Sequence, residues 1–175
     1  MNLNLILPMK TVQVNQKVIK IPKLGLKHHN IIKEVRGPEE NLARLVDSIC
    51  PNLTPAEIDF VGLHILEFNG KLKSKVVKDG FEYSLDTLKI VQRLEFQFGG
   101  NVFKFRAPKQ FEVFGAINGM LDTCLLTVND KEADVDFMKM PAFVKKWADD
   151  ISCTLSIAGP NGEIRGLAAI IGIFE

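Results

Sequence analysis

A chain of 175 residues suits one domain or two small lobes, and at this length a core buries enough surface that neither disulfides nor a metal is needed for stability. Hydrophobic residues make 46% and charged residues 25%, an ordinary globular composition, and the net charge of +1 argues against a general nucleic-acid binder, which carries a basic excess. The three cysteines, Cys50, Cys124 and Cys153, lie far apart without metal-ligand spacing and read as reduced thiols of a cytosolic protein.

The start lacks the basic leader and apolar run of a signal peptide, and the apolar C-terminal run from Leu167 to Phe174 is far shorter than the roughly 20 residues a membrane helix needs. Twelve phenylalanines stand against one tyrosine and one tryptophan. Phenylalanine has no polar atom to satisfy, so it fits a core or an interface equally well.

Residues 3–7 and 11–21 read as strands joined at Pro8, the second folding back at Asn15-Gln16 with Val12, Val14, Ile19 and Ile21 in alternation. Helical spacing of Leu24, His28, Ile31 and Ile32 predicts a short helix over 24–35, broken at Gly37-Pro38. A second helix fits 38–50, with Leu42, Leu45, Val46 and Ile49 as its apolar stripe. Thr54-Pro55-Ala56-Glu57 then spells a capping box with proline at the first helical position. That helix should run to Phe68 and stop at Asn69-Gly70. Leu63 and Leu66 widen its buried face beyond Ile58, Val61, Ile65 and Phe68, which makes it central.

Residues 71–78 are lysine-rich and strand-like, ending in a turn at Asp79-Gly80. A helix or loop follows over 84–92, a second hairpin over 93–106 with Gly99-Gly100 as its turn, and a helix over 109–125. Residues 127–137 read as acidic and irregular, and 141–151 as a helix with Phe143, Val144, Trp147 and Ile151 inward. A third hairpin, 152–158 and 164–174, turns at Pro160-Asn161-Gly162, where Asn-Gly supplies positive φ angles.

The two hairpins echo one another. Val12, Val14, Asn15-Gln16 and Ile19-Lys20-Ile21 recur 84 positions on as Phe96, Phe98, Gly99-Gly100 and Phe103-Lys104-Phe105. The resulting expectation is an α+β fold of pseudo-repeated hairpin–helix units. Residues 1–92 form one lobe, and 93–175 form a second that includes the C-terminal hairpin.

Chemistry is harder to find. His28 and His29 are adjacent and diverge by about 100° on a helix, so they do not share one ion easily. His64 sits inside the central helix and reads as packed. Asp130, Glu132, Asp134 and Asp136 suggest calcium, but Val135 stands where an EF-hand loop needs glycine and Pro141 where it needs its bidentate glutamate. A solvated acidic loop is the plainer reading. No nucleophile elbow, Walker loop or dinucleotide fingerprint is present. Lys71, Lys73, Lys75 and Lys78 are either docking charges or an edge that discourages stray strand pairing.

Taken together, "KLGLKHHNIIKE" (23–34) after a strand pair, and "ICPNLTPAEIDFVGLHILEFNGKLKSK" (49–75) before a second hairpin, resemble the baseplate-hub proteins of T-even-type contractile-tailed phages. The resemblance covers 1–110 well and the remainder loosely, and the apolar run 167–174 has no match in it. It implies a late structural or assembly role with other hub or tail proteins, no catalytic residue and no cofactor. The protein would be made in the host cytoplasm and carried in the virion's baseplate. Two versions stay open, a subunit that remains in the hub and a chaperone for the hub or tape-measure protein that leaves. A cell-envelope hydrolase is the competing class, and self-association is open. Association through strand edges would be anchored by Phe103, Phe105, Phe111 and Phe114, with Lys71, Lys73 and Lys75 as docking charges.

Overall fold

The computed structural model describes residues 7–33, 38–109 and 112–175. Its elements in chain order are β1 (Met9–Val14), β2 (Lys17–Pro22), α1 (Leu26–Lys33), α2 (Pro38–Ile49), α3 (Pro55–Phe68), β3 (Lys75–Lys78), β4 (Phe81–Ser84) and β5 (Lys89–Ile90). They continue with β6 (Glu95–Phe98), β7 (Asn101–Phe105), α4 (Ile117–Cys124), β8 (Leu125–Val128), α5 (Val144–Ser152), β9 (Leu155–Gly159), β10 (Gly162–Arg165) and α6 (Leu167–Phe174). The small sheets are antiparallel throughout, ordered β1-β2, β3-β4, β10-β9-β5 and β6-β7-β8, so the fold is α+β.

The chain forms two compact units, Met1–Ile90 with Leu155–Glu175, and Val91–Thr154. In the first, Val12 lies opposite Ile19 across the β1–β2 hairpin, and alternate residues Val12, Val14, Ile19 and Ile21 are buried. Asn15 takes the positive φ of 52° that a two-residue turn requires. This inner face packs on Leu45 and Val46 of α2 and on Val61 and Ile65 of α3. The next position round α3, Leu63, belongs to a second cluster with Leu72, Leu85, Leu155, Ile157, Ile170 and Phe174. Helix α3 thus feeds two cores, and as expected it is central. Its capping box is complete, with Thr54 accepting from the Glu57 N–H and the Glu57 side chain accepting from the Thr54 N–H.

In the second unit Phe96 faces Phe103 as Val12 faces Ile19, and Gly99 and Gly100 both take positive φ. The repeat therefore extends to register. It ends at the turn side, where Val14 is 2% exposed but its counterpart Phe98 is 37% exposed. The core gathers Phe96, Phe103 and Phe105 around Trp147 of α5, with Leu121 and Cys124 of α4 behind them.

Several expectations need correction. Residues 34–35, the end of the helix expected over 24–35, Gly37 of its expected break, and residues 3–6 of the first expected strand lie outside the described residues, while Leu7 is not in a strand. The stretch 84–92 holds a 3-10 turn at Leu85–Thr87 and then β5, and β4 precedes it. The helix expected over 109–125 spans only Ile117–Cys124. Ahead of it, Arg106 grips Glu112 with both terminal nitrogens, at 2.8 and 2.7 Å, and the Lys109 N–H donates to the same carboxylate. Part of the acidic segment is strand β8, paired to β7.

The last correction concerns the C-terminus. The β9–β10 hairpin exists, but its second strand ends at Arg165 and residues 167–174 are helix α6. Gly166, at φ 104°, ends the strand. Ile170 and Phe174, one helical turn apart, then reach the core together.

Candidate docking surfaces

The lysine-rich segment begins where Gly70, at φ 73°, releases the chain from α3. Leu72 turns inward and is buried, which leaves Lys71 and Lys73 outward and exposed on either side of it. Lys75 opens β3, and the β3–β4 turn is built on the positive φ of Asp79 (52°) and Gly80 (77°). Lys75 lies 3.5 Å from Glu82 with both side chains more than half exposed, a pair worth little in water. Lys78 donates to the Gly172 carbonyl at 3.2 Å, tying this hairpin to α6. Lys71 and Lys73 make no ion pair among the described residues. The three lysines expected to dock are thus exposed and close in sequence, two of them uncommitted.

The aromatic residues fall out differently. Phe103 and Phe105 are 5% and 3% exposed and serve the core of the second unit, so neither is presented as a surface anchor. Phe114 is half-buried against that core, and Phe111 lies outside the described residues. Among the described residues the exposed phenylalanines are Phe98 and Phe143, whose rings meet edge-on with centroids 5.1 Å apart. Phe143 was expected inward but is 48% exposed, because Val144, Trp147, Ala148 and Ile151 already form the inner face of α5. Sequence spacing gave no sign of this, since Phe143, Trp147 and Ile151 stand four residues apart in turn, and only the start of α5 at Val144 shows Phe143 to be its N-cap.

Three polar clusters test for chemistry. His64 is buried beside the Phe60 ring and accepts from Lys10 Nζ at 3.3 Å through Nδ1, while Lys10 also pairs with Glu67. Burial pushes its pKa down to about 4, and Lys10 adds to this against the weaker pull of Glu67 and Asp86. A neutral ring here joins β1 to α3. Glu57 is also buried. Burial raises its pKa, but bonds from Lys17, the Thr54 N–H and Asn15 outweigh that and bring it to about 2. Asp122 is raised, first by burial and then by Asp134 and Asp136.

The remaining expected candidates have local duties. His28 accepts from the Gly25 N–H at 3.0 Å at the start of α1. Asp130 pairs with Lys104 at 2.6 Å, and Asp136 caps a short 3-10 helix at Phe137–Lys139. Among the described residues no group of three His, Cys, Asp or Glu is placed to hold a metal ion. No helix among them is long and apolar enough to cross a membrane.

The sequence model of the family described as baseplate hub distal subunit matches residues 21–174. The baseplate hub assembly protein gp28 of Enterobacteria phage T4 is 57% identical over 177 residues, covering the whole of both chains. No solved structure matches.

Proposed function

Because the chain belongs to the family of baseplate hub distal subunits, we propose that it keeps a lasting place in the hub and docks there through the exposed lysines Lys71, Lys73 and Lys75. It is a structural and assembly protein of the baseplate hub of a T4-like phage and acts by association with other baseplate proteins. The observation that carries this is the match of residues 21–174 to the distal-subunit family, supported by a relative 57% identical along the whole chain. Lys71 and Lys73 lack partners among the described residues and face solvent, so an acidic neighbour gains attraction without first breaking an internal pair. Assembly in the host cytoplasm precedes incorporation in the virion.

A second reading has its own support. The T4 relative is described as an assembly protein, which suits a helper that leaves the hub once it is built. Mass spectrometry of purified virions alongside infected lysate separates the two. A lasting subunit appears in both at fixed ratio to other hub proteins, whereas a helper appears in the lysate alone. Charge reversal of Lys71, Lys73 and Lys75 to glutamate is expected to deplete the protein from virions while leaving its folded level in the lysate unchanged. Undiminished incorporation of that variant would show the lysines to be bystanders.

A further inference from the structure

The second unit carries an aromatic ledge that the expected anchors do not include. Phe98 ends β6 beside the Gly99-Gly100 turn, and Phe143 caps α5. Their rings are edge-on at 68°, and both stay substantially exposed, at 37% and 48%. They rest on a rigid base. The Phe143 ring lies 5.9 Å from Trp147, which stacks on Phe96 at 5.0 Å with 16° between planes. The other flank of Phe96 is covered by the Arg93 guanidinium at 4.9 Å. Two aromatic side chains held at a surface by packed neighbours lose little conformational freedom on binding, as binding hot spots require.

Two further features surround the ledge. Strand β6 ends its sheet and has no strand neighbour on its outer side among the described residues, so its main chain offers an edge to an extended segment. Lys145 and Lys146 are exposed and make no ion pair among the described residues. Lys146 sits one turn beyond Phe143 on neighbouring positions of the helix surface. Both lysines occupy the first turn of α5 and Asp149 its last, the reverse of what the helix dipole favours.

We propose that this ledge receives an acidic, extended segment of a neighbouring baseplate protein. An apolar side chain of that segment covers the Phe98–Phe143 pair, and its carboxylates face Lys145 and Lys146. The charge decides among occupants. Uncommitted lysines beside an apolar surface fit a carboxylate-bearing peptide, while a chain of net charge +1 gains little from a phosphate backbone. The inference rests on the hub-association reading and names the partner chemistry for a second surface.

The test uses the full chain and an array of overlapping short peptides spanning the other baseplate proteins of the same phage. The single tryptophan, Trp147, lies under the ledge and reports binding by its fluorescence. Acidic peptides with an aromatic or aliphatic residue are expected to bind. Phe98→Ala with Phe143→Ala should weaken them about tenfold or more, the loss typical of hot-spot truncation. Lys145→Glu with Lys146→Glu, at exposed positions that leave the core intact, should do the same and shift selection toward basic peptides. A blank array, unchanged binding by a folded charge-reversal variant, or Trp147 responding to an oligothymidine or to self-association in place of acidic peptides would overturn the proposal. Tails purified in parallel keep the readings apart. Wild-type chain present in tails with a blank array sinks the ledge alone, and wild-type chain absent from tails sinks lasting hub membership.

Discussion

Lys17 Nζ lies 2.8 Å from Glu57 Oε2, joining the turn of the first hairpin to the first turn of α3. Glu57 also accepts from the Thr54 N–H at 2.9 Å and from Asn15 Nδ2 at 3.1 Å. One carboxylate therefore closes the capping box and fixes where the hairpin sits on the helix. Removing its charge leaves Lys17 and the cap short of an acceptor. Glu57→Gln is expected to destabilise the first unit by about 1–2 kcal/mol, the range for loss of a cap and a charged hydrogen bond. Urea unfolding measures this. Lys17→Met should cost less, because the lysine is half exposed and its partner keeps two other donors. Equal costs for the two variants would deny Glu57 its double role.

His64 makes acid a specific threat to the same unit. Its pKa is about 4 in the folded chain against about 6.5 when exposed. Between those values the unfolded chain takes up a proton that the folded chain refuses, so stability falls as pH drops through that window and is fully present above it. The ordinary linkage sets the scale at on the order of 2–3 kcal/mol. Glu57 acts lower, its contribution being lost between about 4.5 and 2. Denaturant midpoints between pH 7 and 4.5 should therefore decline in the wild type and flatten in His64→Gln. A wild-type curve that is flat above pH 5 would contradict a buried neutral imidazole.

What the sequence revealed divides by range of interaction. The Thr54–Glu57 capping box and the Asn15 and Gly99-Gly100 turns were legible because the residues that satisfy each backbone group lie within a few positions. Strands β4 and β8 were not, since each is four residues long and exists only by pairing with β3 or β7. The Arg106–Glu112 grip ahead of α4 is likewise something that no periodicity encodes. Alternation showed that Phe103 and Phe105 share a face, but which face the core takes depends on Trp147, more than 40 positions away. The exposure of Phe98 was hidden by the repeat itself, because its counterpart Val14 is buried. The lysines at 71, 73 and 75 were exposed as read.

Helix α6 allows a sharp stability test. Phe174 is 1% exposed and packs in the same cluster as Leu63 and Leu155. A phenylalanine buried to this degree indicates a docked helix. Phe174→Ala is expected to cost about 3–5 kcal/mol, as for a core aromatic. Ala168→Ser, on the exposed side of the same helix, should fall within about 0.5 kcal/mol of wild type. Thermal unfolding of the two variants decides the matter. Similar melting temperatures would mean that α6 contributes no core.

Gly62 offers a case in which two effects of similar size oppose each other. It lies buried in the middle of α3, where alanine would gain up to about 1 kcal/mol of helix propensity. A methyl group there would lie 2.8 Å from Leu42 Cδ2 and 2.9 Å from its Cγ. The branch carbon is among the clashing atoms, so turning one methyl aside does not relieve the contact, and α2 must shift or Leu42 must leave its rotamer. Overpacking of this kind costs about 1–3 kcal/mol, so Gly62→Ala is expected to destabilise by about 1 kcal/mol on balance. The double variant with Leu42→Ala isolates the cause. Leu42→Ala alone opens a gap, and the alanine methyl at 62 partly refills it. The pair should therefore lose at least about 1 kcal/mol less than the sum of the singles, a coupling within the usual range for residues in contact. If Gly62→Ala raises the melting temperature, or if the two changes simply add, the close approach of α2 to α3 is not what keeps glycine at this position.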